Sequence, residues 1–230
     1  MQMNNLSSKD LLKQINQITT LLISTGLSVD QNFPTITNKN DKIILDISNP
    51  NVTNIFMKNI SYDVVYNTIN SERGYNLKLI DGAFLRYQYT FSTSDDLKKG
   101  RLSFFPSPNL FAMDEESELY MSDEIYGDII SVNIYPFPIR FDFDNDEAIE
   151  VIHPASHLTL GQYKNCRIPV SSPLTPFQFT DFILRHFYFM LYSSKLMNND
   201  SFTSMRVGRF DATITNMERE LSYLNIYNNN

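Results

Sequence analysis

Between positions 75 and 91 the chain runs apolar, meets Asp81-Gly82, and then alternates strictly. Ala83, Leu85, Tyr87, Tyr89 and Phe91 fall on one side, and Phe84, Arg86, Gln88 and Thr90 on the other. Period-two alternation around an Asp-Gly pair is the signature of a β-hairpin with a two-residue turn. It commits the chain to an antiparallel sheet that must bury one face against another layer. Further β-rich runs lie at 43–47, 62–69, 101–105, 129–135 and 137–143, with Pro106-Ser107-Pro108 breaking the ladder and Pro136 dividing the last pair.

The two ends follow helical periods. Ser7 and Asp10 have capping-box spacing, Leu11, Ile15, Ile18 and Leu22 share one face, and Gly26 ends the run. That face suits a helix lying on its own sheet; its near-heptad spacing also suits a partner helix. Thr175-Pro176 with Gln178 opens a second helix, expected over 176–196. Phe177, Phe179, Phe182, Ile183, Leu184, Phe187, Phe189, Met190 and Leu191 surround most of it, so it is expected as the buried central element. Asp211 is expected to cap a last amphipathic helix carrying Ile214, Met217, Leu221 and Leu224. The sum is an α+β fold in one domain: an N-terminal amphipathic helix (1–30), an antiparallel sheet (31–170) and a helical part (171–230).

Charge narrows the classes of partner. The 230-residue chain is 42% hydrophobic, has one cysteine and a net charge of −7. A lone Cys166 excludes an internal disulfide and cysteine-rich zinc sites. It reads as an inert core or strand cysteine, with an activated thiolate beside Arg167 as the sharper alternative. The net charge predicts weak direct binding to nucleic acid by the chain alone. Residues 1–150 hold 12 basic and 21 acidic side chains, and residues 151–230 hold 7 and 5, so the acidity is confined to the first part. No secretory leader or membrane span is legible, and a cytoplasmic location is the expectation. The acidic run Asp114, Glu115, Glu116, Glu118, Asp123, Glu124 and Asp128 reads as a solvated loop, with docking of a basic partner as the sharper alternative. Asp142-Phe-Asp144-Asn-Asp146 fails as a calcium loop, because Glu147 and His153 occupy the glycine and glutamate positions.

Chemistry concentrates between 139 and 167. In an extended strand Phe137, Ile139, Phe141 and Phe143 face the core and leave Arg140, Asp142 and Asp144 on the other side. A turn at Asn145-Asp146 returns the chain through a strand at 148–152 to His153 and His157, followed by Lys164 and Arg167. One histidine as base and one as acid, with an arginine stabilising phosphorane charge, suits metal-free phosphodiester cleavage. Both histidines with Asp142 would instead suit a divalent metal with open positions. A plainly structural reading has His153 capping a strand end, His157 bonded within a turn, and Asp142 ion-paired to Arg140 or Arg167. His186 reads as a satisfied core histidine. No organic cofactor is expected.

The segments 139–144, 153–161 and 165–170, with Pro173-Leu174-Thr175-Pro176 and Phe182-Ile183-Leu184-Arg185, resemble a bacterial domain family of unknown function over residues 11–192. The Arg-x-Asp strand before a clustered-histidine segment also looks distantly like small toxin components of toxin–antitoxin pairs. The resemblance implies a prokaryotic, accessory-genome protein in a defence or toxin–antitoxin context. Two readings follow. One is an effector acting on nucleic acid or nucleotides, ribonuclease-like, with Arg140, Asp142, His153, His157 and Arg167 as the site. The other is a non-catalytic subunit that binds a helicase or nuclease. A protein partner encoded nearby, or a second copy of the chain, is expected; a membrane is not.

Overall fold

The computed structural model describes residues 6–47, 60–108, 136–163, 165–206 and 208–226. The expected strand at 129–135, the acidic run at 114–128 and Lys164 lie outside them.

Helix α1 (Ser8–Ser24) begins with the expected capping box: the Asp10 amide donates to the Ser7 hydroxyl, and the Ser7 amide donates to the Asp10 carboxylate. Leu11, Ile15, Ile18 and Leu22 are all buried. The helix stops where Gly26 takes φ +74, a left-handed conformation open to glycine at little cost. Strands β1 (Ser28–Gln31), β2 (Thr35–Lys39) and β3 (Lys42–Asp46) follow.

Residues 62–69 are not a strand. They lie in helix α2 (Tyr62–Ser71), whose buried Val65, Tyr66 and Ile69 keep helical spacing. Valine, tyrosine and isoleucine raise β propensity, but burial at i, i+1 and i+4 decides the local structure.

The hairpin forms as the turn chemistry requires, from β4 (Leu77–Leu79) and β5 (Phe84–Ser92), and β6 (Leu97–Phe105) returns along the far edge of β5. Next come β7 (Ile139–Asp144), β8 (Ser156–Leu160) and the short β9 (Ile168–Pro169). Among the described residues one nine-stranded sheet results, antiparallel at every strand pairing, in the order β1-β4-β5-β6-β7-β8-β9 with β2 and β3 branching off at β5. It forks at β5, where β4 pairs with Phe84 and Leu85 while β3 pairs with 89–92 on the same edge. At the fork the buried Asn76 side chain accepts the Tyr87 amide at 2.7 Å, doing the work of a strand neighbour.

One face of the sheet carries the main core. Leu85, Tyr87, Tyr89, Leu102, Phe104, Ile139, Phe141 and Leu158 pack there beneath α1 and α3 (Pro176–Phe187). Thr175 and Gln178 cap α3 as expected. Gln14 joins the two helices, accepting the Phe177 amide and donating to the Met205 carbonyl, both at 2.9 Å. On the opposite face α2 covers one end only, where Phe84 stacks between Tyr66 and Tyr75.

Several expectations about the helical part are corrected. The helix does not continue to 196: it ends at Tyr188, whose ψ is +49, and resumes as α4 (Phe189–Leu191) and a π-helical turn (Tyr192–Leu196). It is buried on one side, not all round, since Phe187 is 40%, Phe189 52% and Met190 48% exposed. Helix α5 (Asp200–Ser204) follows, and the last helix shrinks to α6 (Asn216–Arg219), capped by Thr215 in place of Asp211. Leu224 reaches the sheet instead, bridging Val170, while Met217 and Leu221 are exposed. Phe137 precedes β7 and is exposed rather than packed in the core. Among the described residues no helix is long and apolar enough to cross a membrane.

Candidate functional site

Side chains alternate along the strands, so each one facing away from α1 and α3 falls into a row across neighbouring strands. Register places Gln88, Arg101, Asp142 and His157 in one row, and Arg86, Ser103, Arg140 and Thr159 in the next. Asp46 of β3 joins them, accepting from Gln88 at 2.8 Å and pairing with Arg86 at 3.3 Å. A polar strip therefore runs from β3 to β8 over a face whose other end is sealed by α2.

Asp142 is the hub. Arg101 Nε donates to its Oδ1 at 2.7 Å and Arg140 Nε to its Oδ2 at 2.9 Å. Burial alone would raise this carboxyl, but the two guanidinium groups hold it below the ordinary carboxylate range. Lys99 and Asp144 form a further pair at 2.6 Å at the solvent end.

His157 lies buried in β8, not in a loop, with its Nδ1–H donating to the Pro154 carbonyl at 2.9 Å. That bond fixes the tautomer and leaves Nε2 as the open nitrogen, 3.9 Å from Asp142 Oδ2. Burial pulls the imidazole pKa down, Asp142 opposes the shift, and Arg167 adds to it. His157 is therefore expected to titrate below the ordinary histidine value of about 6.5. An unfolded chain protonates this ring first, so its contribution to stability is present above that value and is lost as pH falls through the folded pKa. An NMR titration of the ring protons checks this; a midpoint above 6.5 would mean that Asp142 outweighs burial.

The His153 ring sits 5.0 Å from that of His157, half-buried, so the two expected histidines do converge. The segment leading to them departs from expectation. Residues 148–152 form no strand, only a turn closed by the Ile149–His153 bridge. Val151 there adopts φ +69, an outlier for a β-branched residue that costs about 1–3 kcal/mol. The buried Glu218 holds it in place by accepting the Val151 amide at 3.2 Å, while Ile149 and Ile152 stand out to solvent.

The expected residues thus separate into a tight set and a loose one. Arg140, Asp142, His153 and His157 come together. Arg167 is close enough to act on His157 electrostatically but makes no ion pair among the described residues. The structural pairing of Asp142 with Arg140 exists, and that with Arg167 does not. Cys166 accepts the Leu160 amide at 3.3 Å, in keeping with a structural thiol. His186 is no core residue: it is exposed, with its ring against Phe182. Among the described residues no three His, Cys, Asp or Glu side chains are placed to share a metal ion.

Arg101 and Arg86 were not singled out by sequence, although strand register would have found both. Arg86 is fully buried, and among the described residues its Nε and Nη1 have no hydrogen-bond partner. Burial pulls its pKa down and pushes that of Asp46 up, and their pairing opposes both shifts.

No curated protein and no solved structure matches the chain. A family match does exist and spans most of it: over residues 27–226 the chain belongs to the DUF2290 family of uncharacterized conserved proteins.

Proposed function

We propose that this protein acts on the phosphodiester bonds of nucleic acid or of a nucleotide, as a bacterial defence or toxin-type effector working in the cytoplasm. The carrying observation is the pair of imidazoles 5.0 Å apart beside a carboxylate neutralised by two arginines. His157, kept neutral by burial, is suited to take a proton from the attacking hydroxyl. His153, the outer ring, returns one to the oxygen that leaves as the old P–O bond breaks. Arg167 is the cation still available for the charge of the phosphorane. Asp142, with Arg101 and Arg140 on its oxygens, holds this end of the strip in place and keeps the field beside His157 constant. The strained turn at Val151 supports the reading, since strain of this kind gathers where geometry is functional.

The test uses the full chain, RNA and DNA single strands, and growth on induced expression. His153→Ala and His157→Ala are each expected to reduce cleavage by a factor of about 10²–10⁴. Arg167→Lys should also weaken it, because a fork that grips two oxygens becomes a point charge. For His153→Ala and Arg167→Lys, melting temperatures should stay close to the parent. Folded histidine variants with full biological function would remove catalysis from this site. They would favour the subunit that binds a helicase or nuclease, docking through its acidic segment.

A further inference from the structure

The turn that leads into His153 and the short helix α6 share an apolar surface that the fold leaves bare. Ile149, Val151 and Ile152 in the turn, Met217 in α6 and Leu221 just after it are all exposed. None of the five enters the core clusters. Scattered apolar side chains on a surface are ordinary, but these sit on two segments fastened to each other.

Glu218 is the fastener. Its buried carboxylate accepts the Val151 amide at 3.2 Å through one oxygen and the Thr215 amide at 3.0 Å through the other, which closes the capping box of α6. The Ile149–His153 bridge closes the turn on its other side, with backbone bonds of 2.9 and 2.7 Å. Val151 is held at φ +69 against the preference of a β-branched side chain. The isoleucines are thus presented outward from a fixed backbone, which lowers the ordering cost of a contact.

The surroundings are acidic. Asp146, Glu147 and Glu150 interleave with the isoleucines, Glu220 precedes Leu221, and all four are exposed. Glu150 and Glu220 make no ion pair among the described residues, and Glu147 reaches Lys99 only at 3.9 Å, a lysine already paired with Asp144 at 2.6 Å. Lys98 and Arg219 are the other cations of these segments. The undescribed residues bring only Lys58 and Lys164, against seven acidic side chains of their own.

We propose that this surface docks a basic, amphipathic segment of a partner protein. Its apolar side chains would cover Ile149, Ile152, Met217 and Leu221, and its Lys and Arg side chains would meet the carboxylates around them. Charge selects the partner: an acidic rim repels nucleic acid and anionic lipid, and a second copy set face to face would oppose like carboxylates. The inference does not rest on the histidine chemistry, although the surface adjoins His153.

The probe is a synthetic peptide of leucine and lysine with its leucines on one helical face, titrated into the full chain by calorimetry. It should bind with a Kd below about 100 μM and more weakly as salt rises. The same peptide with glutamate for lysine, or with its leucines dispersed, should bind at least about tenfold more weakly. Ile149→Ser/Ile152→Ser and, independently, Met217→Ser/Leu221→Ser should each lose about tenfold in affinity while circular dichroism matches the parent. Undiminished affinity in both folded double variants overturns the proposal, because the attraction then belongs to acidic residues elsewhere, such as the run at 114–128. So does a parent that fails to saturate below that concentration, or equal binding of the glutamate peptide. Sedimentation of the parent alone is the last arm: a dimer that Ile149→Ser/Ile152→Ser dissociates would make a second copy the occupant and overturn the proposal too. The peptide comparisons on the parent decide the matter even if a variant fails to fold.

Discussion

Phe179→Ala is expected to destabilise the protein by about 3–5 kcal/mol, lowering the melting temperature by roughly 10 °C or more. Phe179 is fully buried where α3 meets the sheet, with its ring 5.8 Å from Tyr87 and 6.1 Å from Phe141, edge-on to both. Those neighbours belong to different strands and are pinned: the Tyr87 hydroxyl bonds Thr180 at 2.8 Å, and Phe141 sits mid-strand in β7. They cannot collapse into the space, so the cavity persists. Phe187→Ala is the control on the same helix. Its ring is 40% exposed and should cost about 1–2 kcal/mol. Urea denaturation of both variants measures the contrast, and equal losses would mean that α3 is buried all round after all.

Asp142→Ala should be the other costly change, at about 2–3 kcal/mol. That is below the usual range for breaking a buried pair because Arg101 and Arg140 remain 35% and 22% exposed and recover some hydration. The effect has a pH signature. The folded carboxyl titrates below its unfolded value of about 3.9. Its stabilisation is therefore complete above about pH 4 and disappears as pH falls through the folded pKa. The difference between parent and Asp142→Ala in urea melts should shrink as pH falls below about 4; a constant gap would place the carboxylate's role in packing alone.

What could be read from sequence follows from how local each signal is. Ser7 with Asp10 and Thr175 with Gln178 act within one turn, and both caps form. The hairpin at Asp81-Gly82 is equally local. The face carrying Arg140 and Asp142 followed from alternation within one strand. The signals that misled were those whose meaning depends on distant partners. Residues 62–69 have strand-like composition, yet Val65, Tyr66 and Ile69 find Phe84 and Phe105 beneath them and so lie on a helix. Phe187 and Phe189 are apolar, but the sheet offers α3 only one side to cover. Arg101 could not be assigned to Asp142 without the register between β6 and β7, which no local pattern encodes.

The fork at β5 has a mechanical consequence. β3 and β4 hang from the same edge of one strand like two leaves on a common spine, joined to it at separate heights. Between them Tyr87 is tied by the amide of Asn76 rather than by a third strand, and Arg86 stands on the opposite face at the same level, tethered to Asp46 of the upper leaf. Each leaf is held to the spine by its own ladder, and neither pairs with the other among the described residues. A swing of the β3 leaf would draw Asp46 away from Arg86 and release a second guanidinium edge into the polar strip. The branch point of the sheet thus lies beside its charged side chains.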